Sequence, residues 1–213
     1  MINVKDLFRN FVFLVTLTAA TPMFGAELWS WHAFDFTLVK NARWDWTLHT
    51  RVRSREGALQ QGRSGAIGKF QLRPRLSLIA GYYYGREDIQ EEWSDFHRPF
   101  AGVEIPLVVR GAATLAVRSL AERFLVGERP DFSRFRQRLR LVTDRRLGLL
   151  ASTEWFFDRQ GYLSARYSAG VRWRIFRGGA LEVGYLYDAR AARAGGPRHG
   201  IVTHLLLERP QKP

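Results

Sequence analysis

The chain has 213 residues and a formal net charge of +13, carried almost wholly by arginine because lysine stands only at Lys5, Lys40, Lys69 and Lys212. Its length suits one domain, and an aromatic share of 14% with ordinary hydrophobic content excludes a disordered chain. With no cysteine, a disulfide framework, a thiolate metal site and a cysteine nucleophile are excluded together.

Lys5 and Arg9 precede the apolar run Phe11-Val12-Phe13-Leu14-Val15-Thr16-Leu17-Thr18-Ala19-Ala20, which is followed by small and polar residues up to Ala26. That order is the order of a secretory signal. The run is too short for a transmembrane helix, which needs roughly 20 apolar residues. We expect residues 1–26 to be a signal peptide cut after Ala26, with residues 27–213 as the mature domain.

No later apolar segment reaches membrane-helix length, so a membrane destination requires strands. The candidates, in order, are residues 28–38, 43–53, 65–73, 76–85, 97–107, 112–125, 133–143, 147–158, 163–176, 181–188 and 200–208. Most have the roughly 9 to 12 residues that a tilted strand needs to cross a bilayer. Short links near residues 40–41, 73–75, 109–111, 144–146 and 177–179 alternate with longer polar ones at 54–64, 86–96, 126–132 and 189–199. Short periplasmic turns alternating with longer outer loops are the habit of outer-membrane barrels. The count is odd, whereas single-chain bacterial barrels have an even number; ten or twelve strands is therefore the expectation, with residues 28–38 outside the ring or another strand missed or split.

Neighbouring strand residues point to opposite faces. Arg134, Arg136, Arg138 and Arg140 fall on one face of their segment, and Phe135, Gln137, Leu139 and Leu141 on the other. Over 163–176, Leu163, Ala165, Tyr167, Ala169, Val171, Trp173 and Ile175 alternate with Ser164, Arg166, Ser168, Gly170, Arg172 and Arg174. The same division separates Trp44, Trp46, Leu48 and Val52 from Asp45, His49, Arg51 and Arg53. A soluble barrel turns its apolar face inward and a membrane barrel turns it outward. The signal, the strand length and the aromatic residues near strand ends (Trp44, Trp46, Tyr82, Tyr84, Trp155, Phe157, Tyr185, Tyr187) favour the membrane version. The fold class expected is all-β: an antiparallel transmembrane β-barrel of about 10 to 12 strands with a polar, charged lumen.

Lipid-facing arginines at mid-depth cost about 2 to 4 kcal/mol each, so the arginine faces belong inside. The carboxylates lie in phase with them: Glu104, Glu122, Glu154, Glu182 and Glu208 accompany Arg51, Arg53, Arg118, Arg134, Arg136, Arg138, Arg140, Arg172 and Arg174. Arginine forks pairing with carboxylates make a fixed polar network. Buried paired charges are usually structural. A narrow pore that favours small anions through the surplus arginines is the functional alternative.

The order of features resembles domain-of-unknown-function family 2490, a group of predicted bacterial outer-membrane proteins. The resemblance rests on Glu27-Leu28-Trp29-Ser30-Trp31, Arg43-Trp44-Asp45-Trp46-Thr47-Leu48, Gly81-Tyr82-Tyr83-Tyr84, Glu122-Arg123, Arg134-Phe135-Arg136-Gln137-Arg138 and His199-Gly200. It implies an outer-membrane barrel of a Gram-negative bacterium and no established activity. The chain ends Glu208-Arg209-Pro210-Gln211-Lys212-Pro213, without the terminal aromatic residue typical of barrel insertion signals.

The histidines His32, His49, His97, His199 and His204 show no metal-binding spacing and no nucleophile motif. A lipid-modifying enzyme therefore needs a site assembled across strands, invisible to spacing; a soluble periplasmic ligand-binding barrel is the other alternative. Period-two arginines within strands, behind an export signal, argue against nucleic acid. No cofactor or metal is expected. The expected partners are outer-membrane lipids, the barrel-insertion machinery and a small anionic solute, with the protein a monomer.

Overall fold

The computed structural model describes residues 28–89, 92–127, 129–192 and 196–209, so the expected signal peptide lies outside the described residues. Eleven strands follow one another: β1 (Leu28–Lys40), β2 (Trp44–Arg55), β3 (Ala58–Arg73), β4 (Leu76–Ile89), β5 (Glu92–Arg110), β6 (Ala113–Val126), β7 (Phe132–Thr143), β8 (Leu147–Asp158), β9 (Gly161–Phe176), β10 (Gly179–Arg190) and β11 (Arg198–Glu208). Each pairs with the next, and β1 pairs with β11 to close the barrel. No helix among the described residues is long and apolar enough to cross a membrane.

The strand number corrects the expectation of ten or twelve. An odd ring of up-and-down strands closes only if its first and last strands run in the same direction. Accordingly β1 and β11 pair in parallel, from Leu28↔His199 to Thr37↔Glu208, and β1 lies within the ring.

The alternation of link lengths is also corrected. Residues 54–64 are not a loop: β2 runs to Arg55 and β3 begins at Ala58. The intervening Glu56 and Gly57 have φ of 50° and 84°, the two positive values that a tight two-residue hairpin turn of the I′ type requires. Most of residues 86–96 belongs to β4 and β5. These stretches read as loops because they are polar, yet Gln61, Arg63 and Glu87 alternate onto the inner face, where polar side chains find partners.

Inside and outside differ as period-two alternation dictates. Val171 and Trp173 of β9, Tyr185 of β10, Leu48 and Trp46 of β2, and Leu149 of β8 are exposed on the outer face. Arg166, Ser168 and Arg172, which alternate with the β9 residues, line an interior cavity. The interior has two small apolar clusters. Ile79, Tyr83, Phe100 and Leu120 form one against Ile67; Trp29, Trp31 and Leu186 form the other against Val202. Gly81 lets the first close, since a Cβ there would lie 2.3 Å from the Phe100 ring. Pro99 lacks the N–H that a ladder needs, and the β5–β6 pairing skips from His97↔Leu125 to Phe100↔Glu122.

Candidate functional site: the charged interior

The described residues line two cavities within the barrel. The larger, about 900 Å³, is lined by residues near the end that carries the β2–β3 turn, among them Arg55, Gln60, Asp88, Arg129 and Arg198. The smaller, about 380 Å³, extends to Thr37, Thr47 and Glu208 near the opposite end. Arg51, Arg63, Arg136 and Arg166 line both, so the layer between the cavities is cationic.

Carboxylates pin most of the interior arginines. Glu122, whose side chain is fully buried, holds Arg134 at 2.6 Å and Arg136 at 3.4 Å. Glu154 faces Arg136, Arg138 and Arg166 at 3.9, 3.8 and 3.3 Å. Glu182 holds Arg140 at 2.5 Å and Arg172 at 2.9 Å, and Glu104 takes Arg118 at 2.5 Å and Lys69 at 2.7 Å. The register explains the sharing: Arg134 is directly opposite Glu122, Arg138 opposite Glu154, and Arg172 opposite Glu182. Arg118 and Arg138 face each other, a destabilising like-charge pairing that Glu104 and Glu154 offset. Asp188 adds a contact with Arg166 at 3.4 Å, and Glu87 one with Arg53 at 2.7 Å.

The second element is a ring in which guanidinium groups alternate with aromatic faces. Arg98 lies over Tyr83 and Phe124, at 4.6 and 5.3 Å from the ring centres. Arg134 lies over Phe124 and Phe156, both at 4.7 Å. Arg166 lies over Phe156 at 4.7 Å and Trp31 at 4.2 Å. Arg51 and Arg53 continue from Trp31, and Arg63 returns to Tyr83 at 4.5 Å. Cation–π contacts contribute roughly 0.5 kcal/mol when exposed and about 2 when desolvated, so the ring helps hold cations that lack carboxylates.

Near the floor of the smaller cavity Asp35, His49 and His204 meet, with ligating atoms all within 4.8 Å of one another. Asp35 and His49 are direct cross-strand partners of β1 and β2, and the parallel seam brings in His204. His49 Nδ1 is 2.5 Å from one Asp35 oxygen, and His204 Nε2 is 3.0 Å from the other. Glu182 lies 3.5 Å from His204 Nδ1. Arg63 Nη2 is 3.3 Å from His49 Nε2. Since arginine only donates, Nε2 accepts and Nδ1 carries the proton it gives to Asp35. In that tautomer His49 has no lone pair left for a cation. The trio is therefore a charge cluster in which Arg63, His49 and Asp35 are linked by hydrogen bonds and His204 lies at ion-pair distance from Asp35 and Glu182, not a ready metal centre.

The residues singled out from sequence are distributed as follows. Glu104, Arg118, Glu122, Arg134, Arg136, Arg138, Arg140, Glu154, Arg172 and Glu182 meet in the interior network. Arg53 is held by Glu87, and among the described residues Arg51 bonds Gln61, at 3.4 Å. Arg174 and Glu208 stand apart at the rim, about half exposed, paired with Asp144 and Lys40. Sequence reasoning missed Arg63, Lys69, Glu87, Arg98, Arg166, Asp188, Asp35, His49 and His204 as members of the site. Arg63 and Glu87 lie in segments whose polarity reads as loop. The histidine–aspartate cluster joins residues 14 positions apart and residues on the first and last strands, so spacing carries no sign of it.

Among the described residues no hydroxyl is hydrogen-bonded to His49 or His204. His32 bonds Thr203 Oγ1 at 2.7 Å, and its other ring nitrogen has no hydrogen-bond partner.

Fold and interior define a class: a closed, all-β barrel of eleven strands with ion-paired side chains inside it. Residues 26–198 match the family described as Protein of unknown function (DUF2490), and the chain belongs to that family. No curated protein matches it.

Proposed function

We propose that the chain is an outer-membrane β-barrel of a Gram-negative bacterium, exported behind a cleaved signal. On this reading its Arg/Glu lumen network fixes the shape of the wall and leaves a narrow path that small anions enter most readily. The single observation that carries the reading is the inversion of the two faces. Large apolar side chains such as Leu149 at 66% exposure, Val171 at 42% and Trp173 at 48% stand outside, while Glu122 and Arg98 are buried at 2% and 4%. A soluble barrel has the opposite arrangement, and contiguous exposed apolar surface of this kind is what a membrane covers. Strands of 11 to 19 residues exceed the roughly 9 to 11 that crossing needs, so their ends reach past the bilayer.

The aromatic residues support the same placement. Trp44, Trp46 and Phe70 cluster near the β1–β2 turn. Tyr185 and Tyr187 pack against His199, and Tyr82 and Tyr84 against His97, farther up the wall. Amphipathic rings of this type settle at the two lipid–water boundaries.

Membrane fractionation with gels run on unheated and boiled samples tests the proposal. The expected result is a protein in the outer-membrane fraction whose migration changes on boiling. A protein in the soluble periplasmic fraction with heat-insensitive migration would sink it, in favour of a soluble ligand-binding barrel.

A further inference from the structure

Three of the most deeply set interior guanidinium groups lack the carboxylate pairing that holds most of the others. Arg51 and Arg63 are direct cross-strand partners, a like-charge pairing that destabilises a ladder. Arg118 and Arg138 form a similar pair, but have Glu104 and Glu154 to bridge them. Among the described residues no carboxylate pairs with Arg51, Arg63 or Arg98. Arg51 reaches Gln61 and Arg63 reaches His49. The Nε atoms of all three, with Nη2 of Arg98, are buried without a hydrogen-bond partner. Arg98 is 4% exposed and Arg63 7%. Both guanidinium groups sit on the one Tyr83 ring, at 4.6 and 4.5 Å from its centre. All three residues line the larger cavity.

Leaving buried charged donors unpaired is expensive, because burial removes water and nothing replaces it. A fold that sets two such groups on the Tyr83 ring and a third on Trp31, beside a cavity of about 900 Å³, offers converging donors to an anion. The guanidinium fork matches an oxyanion bidentately. Three forks need more acceptors and more charge than a chloride ion or one carboxylate offers. Phosphate, with several oxygens and two or more charges near neutral pH, supplies both. Because the three groups face the interior and not the lipid side, the ligand is a free solute.

We propose that Arg51, Arg63 and Arg98 bind a free phosphate-bearing solute at the floor of the larger cavity. The proposal takes from the functional reading only that the charged face is a solvated barrel interior; it needs no bilayer. The test is calorimetric titration of the full barrel, in non-ionic detergent and at constant ionic strength, with inorganic pyrophosphate. Saturable binding is expected, at least tenfold weaker in Arg98→Gln and in Arg51→Gln and unchanged in Arg86→Gln, whose guanidinium pairs with Asp95 outside the cavity. Gel migration before and after boiling checks that each variant is folded. No saturable binding, or equal affinity in the wild type and both cavity variants, would overturn the proposal. Phosphatidic acid in mixed micelles should not displace pyrophosphate; displacement would overturn the free-solute assignment. Fractionation reports on membrane location alone, so the two ideas fail separately.

Discussion

Glu122 shows what single residues contribute to this interior. Its carboxylate is buried, directly opposite Arg134, and it is shared with Arg136. Removing one member of such a buried cluster leaves charges with neither water nor partner, a loss of about 3 kcal/mol or more. Glu122→Gln should therefore lower the unfolding free energy of the refolded barrel, read from urea titration, by about 3 kcal/mol. Arg174→Gln, at the half-exposed pair with Asp144, should change stability by less than about 1 kcal/mol, because solvent screens it. Equal effects of the two substitutions would mean that burial does not set the strength of the network. The register makes the first pair, and period two alone was enough to put its members on one face.

At the scale of elements, the strands were legible because a strand's two faces here carry opposite chemistry, as in β7 and β9. Their ends were less so. Gln61, Arg63 and Glu87 have loop-like polarity, and only the partners they meet across the interior explain why the backbone stays extended there. A barrel was expected, but its parallel seam was not legible, since the pairing of the first strand with the last leaves no local trace. That pairing also decides the site, for the seam carries Asp35 to His204. Absence of cysteine makes the seam simple to test. With Thr37 and Glu208 as register partners, the double variant Thr37→Cys, Glu208→Cys should be joined by a short bifunctional thiol reagent, giving a circular chain that runs anomalously on a denaturing gel. A ten-stranded ring with β1 outside it would give no such product.

At the scale of the molecule, the barrel exchanges the usual roles of core and surface. Its core is a lattice of arginines, carboxylates and aromatic rings, and its outer wall is apolar. On the proposed reading a bilayer covers that wall, whose exposed apolar area otherwise disfavours an isolated particle by roughly 25 cal/mol per Å². Composition alone left the +13 charge open to nucleic acid; placing the arginines on inward faces gives the charge an internal role and leaves the outside apolar.

The proposed membrane placement requires that the apolar face of the wall meet lipid. A spin-label scan along β9, one cysteine at a time from Arg166 to Trp173 in the barrel reconstituted into lipid vesicles, measures it directly. Positions 167, 169, 171 and 173 should be relaxed by oxygen, which partitions into lipid, and shielded from a water-soluble nickel chelate; positions 166, 168, 170 and 172 should lack the oxygen response. Ready access of the nickel chelate to the odd positions would contradict the account.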